Sequence, residues 1–168
     1  MADTRDRTWL DVKKQDLIHS ARTAIAAYIS LEIAHLCKLP EAYWAAITTM
    51  IVMQSTLGAA LTVSGQRFAG TALGCAMGAL LAAYFQGSAI FFSVGVLVLG
   101  LVCAALRLDR AAYRFAGITL AIVMLVDRMK PAWVIAGHRF IEVSLGIAVG
   151  LLLTAIWPEP EPTNISSA

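Results

Sequence analysis

The chain has 168 residues, 59% of them hydrophobic and 14% charged, with a formal net charge of +2. A soluble domain of this length leaves too much of its surface in water to hide so apolar a composition. There is no basic run to serve a nucleic-acid partner, and Cys37, Cys75 and Cys103 stand singly. They make neither a disulfide framework nor a metal-ligand pattern, so no metal or cofactor is expected.

The first sixteen residues, MADTRDRTWLDVKKQD, are too polar for the apolar core of a signal peptide. Residues 1–16 are therefore read as a retained, amphipathic cytoplasmic segment. Apolar stretches of about 20 residues, the length that crosses a bilayer, follow in succession. They run Leu17–Cys37, Ala42–Leu61, Phe68–Phe85, Ser88–Leu106, Ala111–Val126 and Trp133–Trp157. Each must be helical, because irregular lipid-facing backbone would leave polar groups unpaired. The expected class is an all-α, polytopic membrane protein with six transmembrane helices over residues 17–157. Breaks are expected at Leu39-Pro40-Glu41, Ser64-Gly65-Gln66, Gln86-Gly87-Ser88, Asp109-Arg110 and Met129-Lys130-Pro131. The closing PEPEPTNISSA, residues 158–168, is proline-rich and polar, which reads as a disordered tail.

Basic residues orient the spans. With the N-terminus inside, the inner face receives Arg5, Arg7, Lys13, Lys14, Arg22, Arg67, Arg107, Arg110 and Arg114. The outer face receives only Lys38, Arg128, Lys130 and Arg139. Both termini are therefore expected in the cytoplasm, with Trp9, Trp44, Trp133 and Trp157 near span ends as interfacial rings.

Two stretches repeat each other. GQRFAGTALGCAMGALLAAYF begins at Gly65 and GHRFIEVSLGIAVGLLLTAIW at Gly137. They agree at Gly, Arg and Phe, then at Leu-Gly, Ala, Gly, Leu-Leu and Ala. Lys38-Leu39 with Ala42-Tyr43 is echoed by Arg107-Leu108 with Ala112-Tyr113. Three spans per half is an odd number, so the second half must lie inverted relative to the first. Inverted repeats build many transporters, with the pathway between the halves.

Gly70, Gly74 and Gly78, and likewise Gly146 and Gly150, recur every fourth residue. Such glycines line one helix face and admit another backbone closely, either at the centre of the unit or at a dimer contact. Arg139 follows Trp133 by six residues, which places it about 9 Å deeper along a helix. Arg67 is its repeat partner, and Arg22 lies about a turn inside the first span. Long basic chains near span ends snorkel to the headgroups. A cation held deeper, as Arg139 is, faces a bundle interior or an aqueous path. Glu142 is spaced to pair with His138 or Arg139 on one helix face, and Glu32 with His35. These sets serve either local charge neutralisation or proton coupling, since histidine titrates near physiological pH. No GxSxG elbow and no glycine-rich phosphate loop is present, so an enzyme has little to stand on.

The run Pro40-Glu41-Ala42-Tyr43-Trp44-Ala45-Ala46-Ile47-Thr48, continuing Val52-Met53-Gln54-Ser55-Thr56-Leu57-Gly58, resembles the signature of the fusaric acid resistance (FUSC) family. Gln66-Arg67-Phe68 with Gly70-Thr71 and Gly74, and Arg22 with Ala24 and Ala26, are similar to two further segments of that family. The likeness covers most of residues 17–157. Many members have proline where Ser55 stands, and larger ones carry two six-helix blocks with soluble regions. The resemblance implies efflux or channel-like passage of small organic anions, particularly aromatic carboxylates, across a bacterial inner membrane. It also implies a homodimer completing the assembly, with a separate periplasmic adaptor as a partner. Arg67 and Arg139 are then the expected anion contacts and Arg22 a third, with Tyr43, Trp44, Phe68 and Phe140 as stacking surface. The rival reading is a non-transporting membrane module that anchors or assembles a separate export component.

Overall fold

The computed structural model describes residues 3–54, 56–85, 87–126 and 130–157, with side chains from residue 16 onward. Six helices follow one another: α1 (Asp3–Leu36), α2 (Tyr43–Val52), α3 (Leu57–Phe85), α4 (Ala89–Ala105), α5 (Arg110–Leu125) and α6 (Ala132–Ile156). No strand occurs among the described residues. Helices α3 and α6 are long and apolar enough to cross a membrane. The tail 158–168 lies outside the described residues.

Several polar side chains are buried beside an apolar core, and many large apolar ones are exposed. Arg22, Arg67, Arg139, Glu142, Thr48, Thr49 and Thr71 are buried, while Leu36, Tyr84, Ile90, Trp133 and Ile156 are exposed. A water-soluble fold does the reverse, and the informative observations are buried polar groups and large exposed apolar ones. This surface suits hydrocarbon.

Two expected boundaries differ. Helix α1 runs unbroken through residues 16 and 17, so no joint separates the polar N-terminal segment from the apolar stretch after it. The second span, expected over Ala42–Leu61, stops at Val52, and α3 starts already at Leu57. Ser64-Gly65-Gln66 is therefore no break. A glycine inside a helix costs only about 1 kcal/mol, which the rest of a long helix absorbs. The actual break lies where Met53 turns extended (φ −61, ψ 107). Ten helical residues rise about 15 Å, half the hydrocarbon thickness. Protein covers this turn at Met53, which is 2% exposed.

Small residues set the packing. Helix α3 lies chiefly against α5 and α6, and α6 against α2. A Cβ on Gly74 would stand 2.5 Å from the Ala116 oxygen and 2.7 Å from Thr119 Cβ on α5. A Cβ on Gly70 would collide with the Ala112 oxygen, and one on Gly78 would stand 2.9 Å from Val123 Cβ. On α6, a Cβ on Gly146 would collide with the Ala45 oxygen and stand 2.7 Å from Thr48 Cβ. At Gly150 it would stand 2.9 Å from Val52 Cγ1. All five glycines thus seat helices within one chain.

The turns after α1 and α4 have the same construction. Lys38 (φ 53) and Arg107 (φ 55) are left-handed. In each turn the following amide reaches back over the helix end, Leu39 N–H to Ala34 O at 3.1 Å and Leu108 N–H to Cys103 O at 2.9 Å. This is a Schellman closure, with a cation placed at the negative end of the helix dipole.

Candidate functional site

Between α2, α3, α5 and α6 the chain buries two guanidinium groups, Arg67 at 4% and Arg139 at 2% exposure. Each lies over an aromatic ring from the helix that its own glycines contact. Arg67 Cζ is 4.7 Å from the centroid of Phe115 on α5. Arg139 Cζ is 3.3 Å from the Trp44 centroid on α2. A desolvated cation gains about 2 kcal/mol from such a face, against several kcal/mol lost with its hydration. Part of the cost is left uncovered. Arg67 Nη2 donates to Thr48 Oγ1 at 3.1 Å. Its Nε, and both Nε and Nη1 of Arg139, are buried without a hydrogen-bond partner.

Acidic groups frame one side. Glu142, one helical turn beyond Arg139, is 1% exposed, and its Oε1 accepts the Glu41 N–H at 3.0 Å. The Glu41 carboxylate in turn accepts the indole N–H of Trp44 at 3.0 Å. The ring under Arg139 is thereby fixed by a chain of bonds that begins on the same helix as Arg139. Arg139 feels the repulsion of Arg67 together with the attraction of Glu142 and Glu41. Phe68 and Phe140, each next in sequence to one of the arginines, touch at a centroid distance of 5.1 Å.

Of the residues expected from sequence, Arg67, Arg139 and Glu142 meet here, with Trp44, Phe68 and Phe140. His138 is half-buried on α6, and Glu32 and His35 lie on the exposed side of α1. Arg22 is 1% exposed and elsewhere: Nη1 donates to Trp157 O at 2.5 Å and Nη2 to Gln54 O at 2.7 Å. It joins the ends of α2 and α6. The two central guanidiniums differ from expectation in another way. At 4% and 2% exposure both are enclosed by the protein.

Sequence reasoning missed Phe115, Thr48 and Glu41. The signal was present but one residue out of register. Laying Ala42-Tyr43 over Ala112-Tyr113 sets Trp44 against Arg114, whereas the contacts match Trp44 with Phe115. They likewise match Thr48 with Thr119 and Val52 with Val123.

The family model described as fusaric acid resistance protein-like matches residues 26–153. Among curated proteins, the chain is 29% identical over 163 residues to the uncharacterized transporter YdhK of Escherichia coli K12, covering 92% of this chain and 24% of that protein. It is 29% identical over 149 residues to the inner membrane protein YeeA of the same organism, covering 85% of this chain and 41% of YeeA. The uncharacterized protein slr1298 of Synechocystis is 24% identical over 136 residues, covering 80% of this chain and 18% of that protein. The chain thus spans about a quarter of the length of the YdhK relatives. No solved structure matches it.

Proposed function

The chain belongs to the fusaric acid resistance protein-like family, and on that premise we propose that it is the membrane part of a transporter for small organic anions. One observation carries the reading. Arg139 is sealed inside an apolar chain, stacked on Trp44, with Nε and Nη1 lacking acceptors. A carboxylate supplies two oxygens in the geometry a guanidinium fork prefers. Aromatic carboxylates fit best, because Trp44 and Phe115 offer ring faces to the pair, and Phe68 and Phe140 follow the two arginines in sequence and touch each other. Arg67 is the second contact, and Arg22 holds helix ends together instead.

We read the six helices as spans forming two inverted three-helix halves. Support comes from three correspondences: the twin turns at Lys38 and Arg107, the glycine contacts α3–α5 and α6–α2, and the ring pairs Arg67–Phe115 and Arg139–Trp44. Each half lends its third helix to the other half's second, so relative motion of the halves would open the enclosed site to either side. The setting is a bacterial inner membrane with both termini cytoplasmic, and two copies replace the paired blocks of larger members. Glu142 competes with an incoming anion for Arg139, and a proton on it would end that competition. His138 is the neighbouring relay. In this scheme anion flux follows a pH gradient, and rates indifferent to that gradient reject coupling.

The test is uptake of labelled benzoate by proteoliposomes of the purified chain. Arg139→Gln loses a charged hydrogen-bonding partner, worth about 10- to 100-fold in flux, whereas Arg139→Lys retains charge and part of the rate. Wild-type flux in a folded Arg139→Gln protein rejects the assignment. An inert wild-type chain that co-purifies with a larger membrane protein supports the anchoring module instead.

A further inference from the structure

Outside the arginine pair, the α4–α5 corner carries a second feature. A groove of about 300 Å³ runs along the outside of α4, lined by Leu97, Gly100, Leu101 and Ala104, with Tyr113 and Arg110 of α5 along its other edge. Leu97 and Leu101 are exposed at 64% and 63%. Residues 97, 100, 101 and 104 share one helix face, so the strip is about 10 Å long. Its floor is lowered by Gly100, where a Cβ would stand 3.4 Å from the Tyr113 ring. Arg107 lies three residues before Arg110 and Arg114 one helical turn after it, and all three arginines are exposed. The adjacent acid, Asp109, is turned away, its Oδ2 accepting from Gln66 Nε2 at 2.7 Å.

The dipole of α4 favours Arg107 at its C-terminal end, but that of α5 does not favour Arg110. Arg110 opens α5, whose first turn holds no acidic residue. A helix N-terminus is the positive end of the dipole and disfavours cations. The turn after α1 reaches the same backbone geometry with Lys38 as its sole basic residue and with Glu41 beside it. What the second turn adds is positive charge at the mouth of an apolar channel. An occupant must match both parts, with a hydrocarbon chain in the groove and a negative headgroup at its end.

We propose that the α4–α5 groove binds one anionic phospholipid, an acyl chain lying over Gly100 and the phosphate held by Arg107, Arg110 and Arg114. A lipid is favoured over free phosphate because the larger part of the surface is apolar and faces outward from an already apolar protein.

The test is native mass spectrometry of the full chain released from mixed micelles containing equal phosphatidylglycerol and phosphatidylcholine. Wild type retains phosphatidylglycerol preferentially. Arg110→Gln with Arg114→Gln removes two of the three charges, and retention falls roughly thirtyfold, at about fivefold per charge lost near an anionic headgroup. Leu101→Trp, on an exposed position, fills the groove and lowers retention with every charge in place, which diffuse attraction to basic residues would not predict. Both variants keep wild-type helicity by circular dichroism, because the altered side chains are exposed. Equal retention of the two lipids, or unchanged retention in either variant, overturns the proposal. Displacement of the lipid by millimolar inorganic phosphate also overturns it, since the site would then be one for a soluble anion.

Discussion

Arg22 and Arg139 are both almost wholly buried, yet opposite outcomes follow from their partners. Arg22 gives two N–H groups to carbonyls at the ends of α2 and α6, groups that no helical amide can reach. It also brings a positive charge to two negative dipole ends. Arg22→Met leaves those carbonyls orphaned and is expected to cost about 2 kcal/mol, read as a lowered melting temperature in detergent. Arg139 has two N–H groups with nothing to bond. Arg139→Gln is expected to lose flux while lowering the melting temperature less than Arg22→Met does, because removing a guanidinium with unbonded N–H groups offsets part of the loss to the buried Glu142. A protein in which Arg139→Gln melts and Arg22→Met does not would invert this assignment. The sequence places both arginines inside apolar spans, but only their neighbours distinguish a structural tie from an unfilled contact.

At the scale of elements, glycine spacing tells where helices meet but not which helices. Gly70, Gly74 and Gly78 seat α5, and Gly146 and Gly150 seat α2. Gly74→Ala pushes a methyl toward the Ala116 oxygen and Thr119, forcing the helices apart for about 1–3 kcal/mol. Gly65 has nothing within 4 Å of its would-be Cβ. Gly65→Ala is expected to be neutral or to stabilise by about 0.5–1 kcal/mol, because alanine loses less entropy in a helix. Thermal unfolding of the two variants measures the contrast, and equal melting temperatures would remove the close α3–α5 contact. The same residue explains why a break at Ser64-Gly65-Gln66 was expected and not found. Local composition marks Gly65 as punctuation, but the helix there meets no obstacle. The real interruption at Met53 and Gln54 has no glycine or proline to announce it. It is held from outside, by Arg22 on the Gln54 carbonyl and by the Thr154 hydroxyl 3.5 Å from Met53 Sδ.

For the whole molecule, the matching turns at Lys38 and Arg107 offer a direct test of the inverted arrangement. Each is exposed and closes its helix with the same hydrogen bonds. If the halves are antiparallel, these turns lie on opposite faces of the membrane. In a background with the exposed Cys37 replaced by serine, Lys38→Cys is expected to react with an impermeant maleimide in intact cells. Arg107→Cys is expected to react only after permeabilisation. Labelling of both in intact cells would end the inverted reading, and with it the exchange of third helices as a means of opening the site.

The sequence by itself determined the solvent. Its composition and block lengths demand lipid, its duplicated Gly-Arg-Phe segments set two cations in corresponding places, and its glycine steps require close helix contact. These are properties of one helix at a time, and periodicity carries them. Which ring lies beneath each arginine, which N–H groups are left without acceptors, and where the second helix stops are decided by side chains far apart in the chain. Trp44 reaches Arg139, and Arg22 reaches both Gln54 and Trp157, only because the helices cross. Spacing along a helix fixes direction and depth, but a contact between helices depends on their separation and rotation, which packing alone supplies.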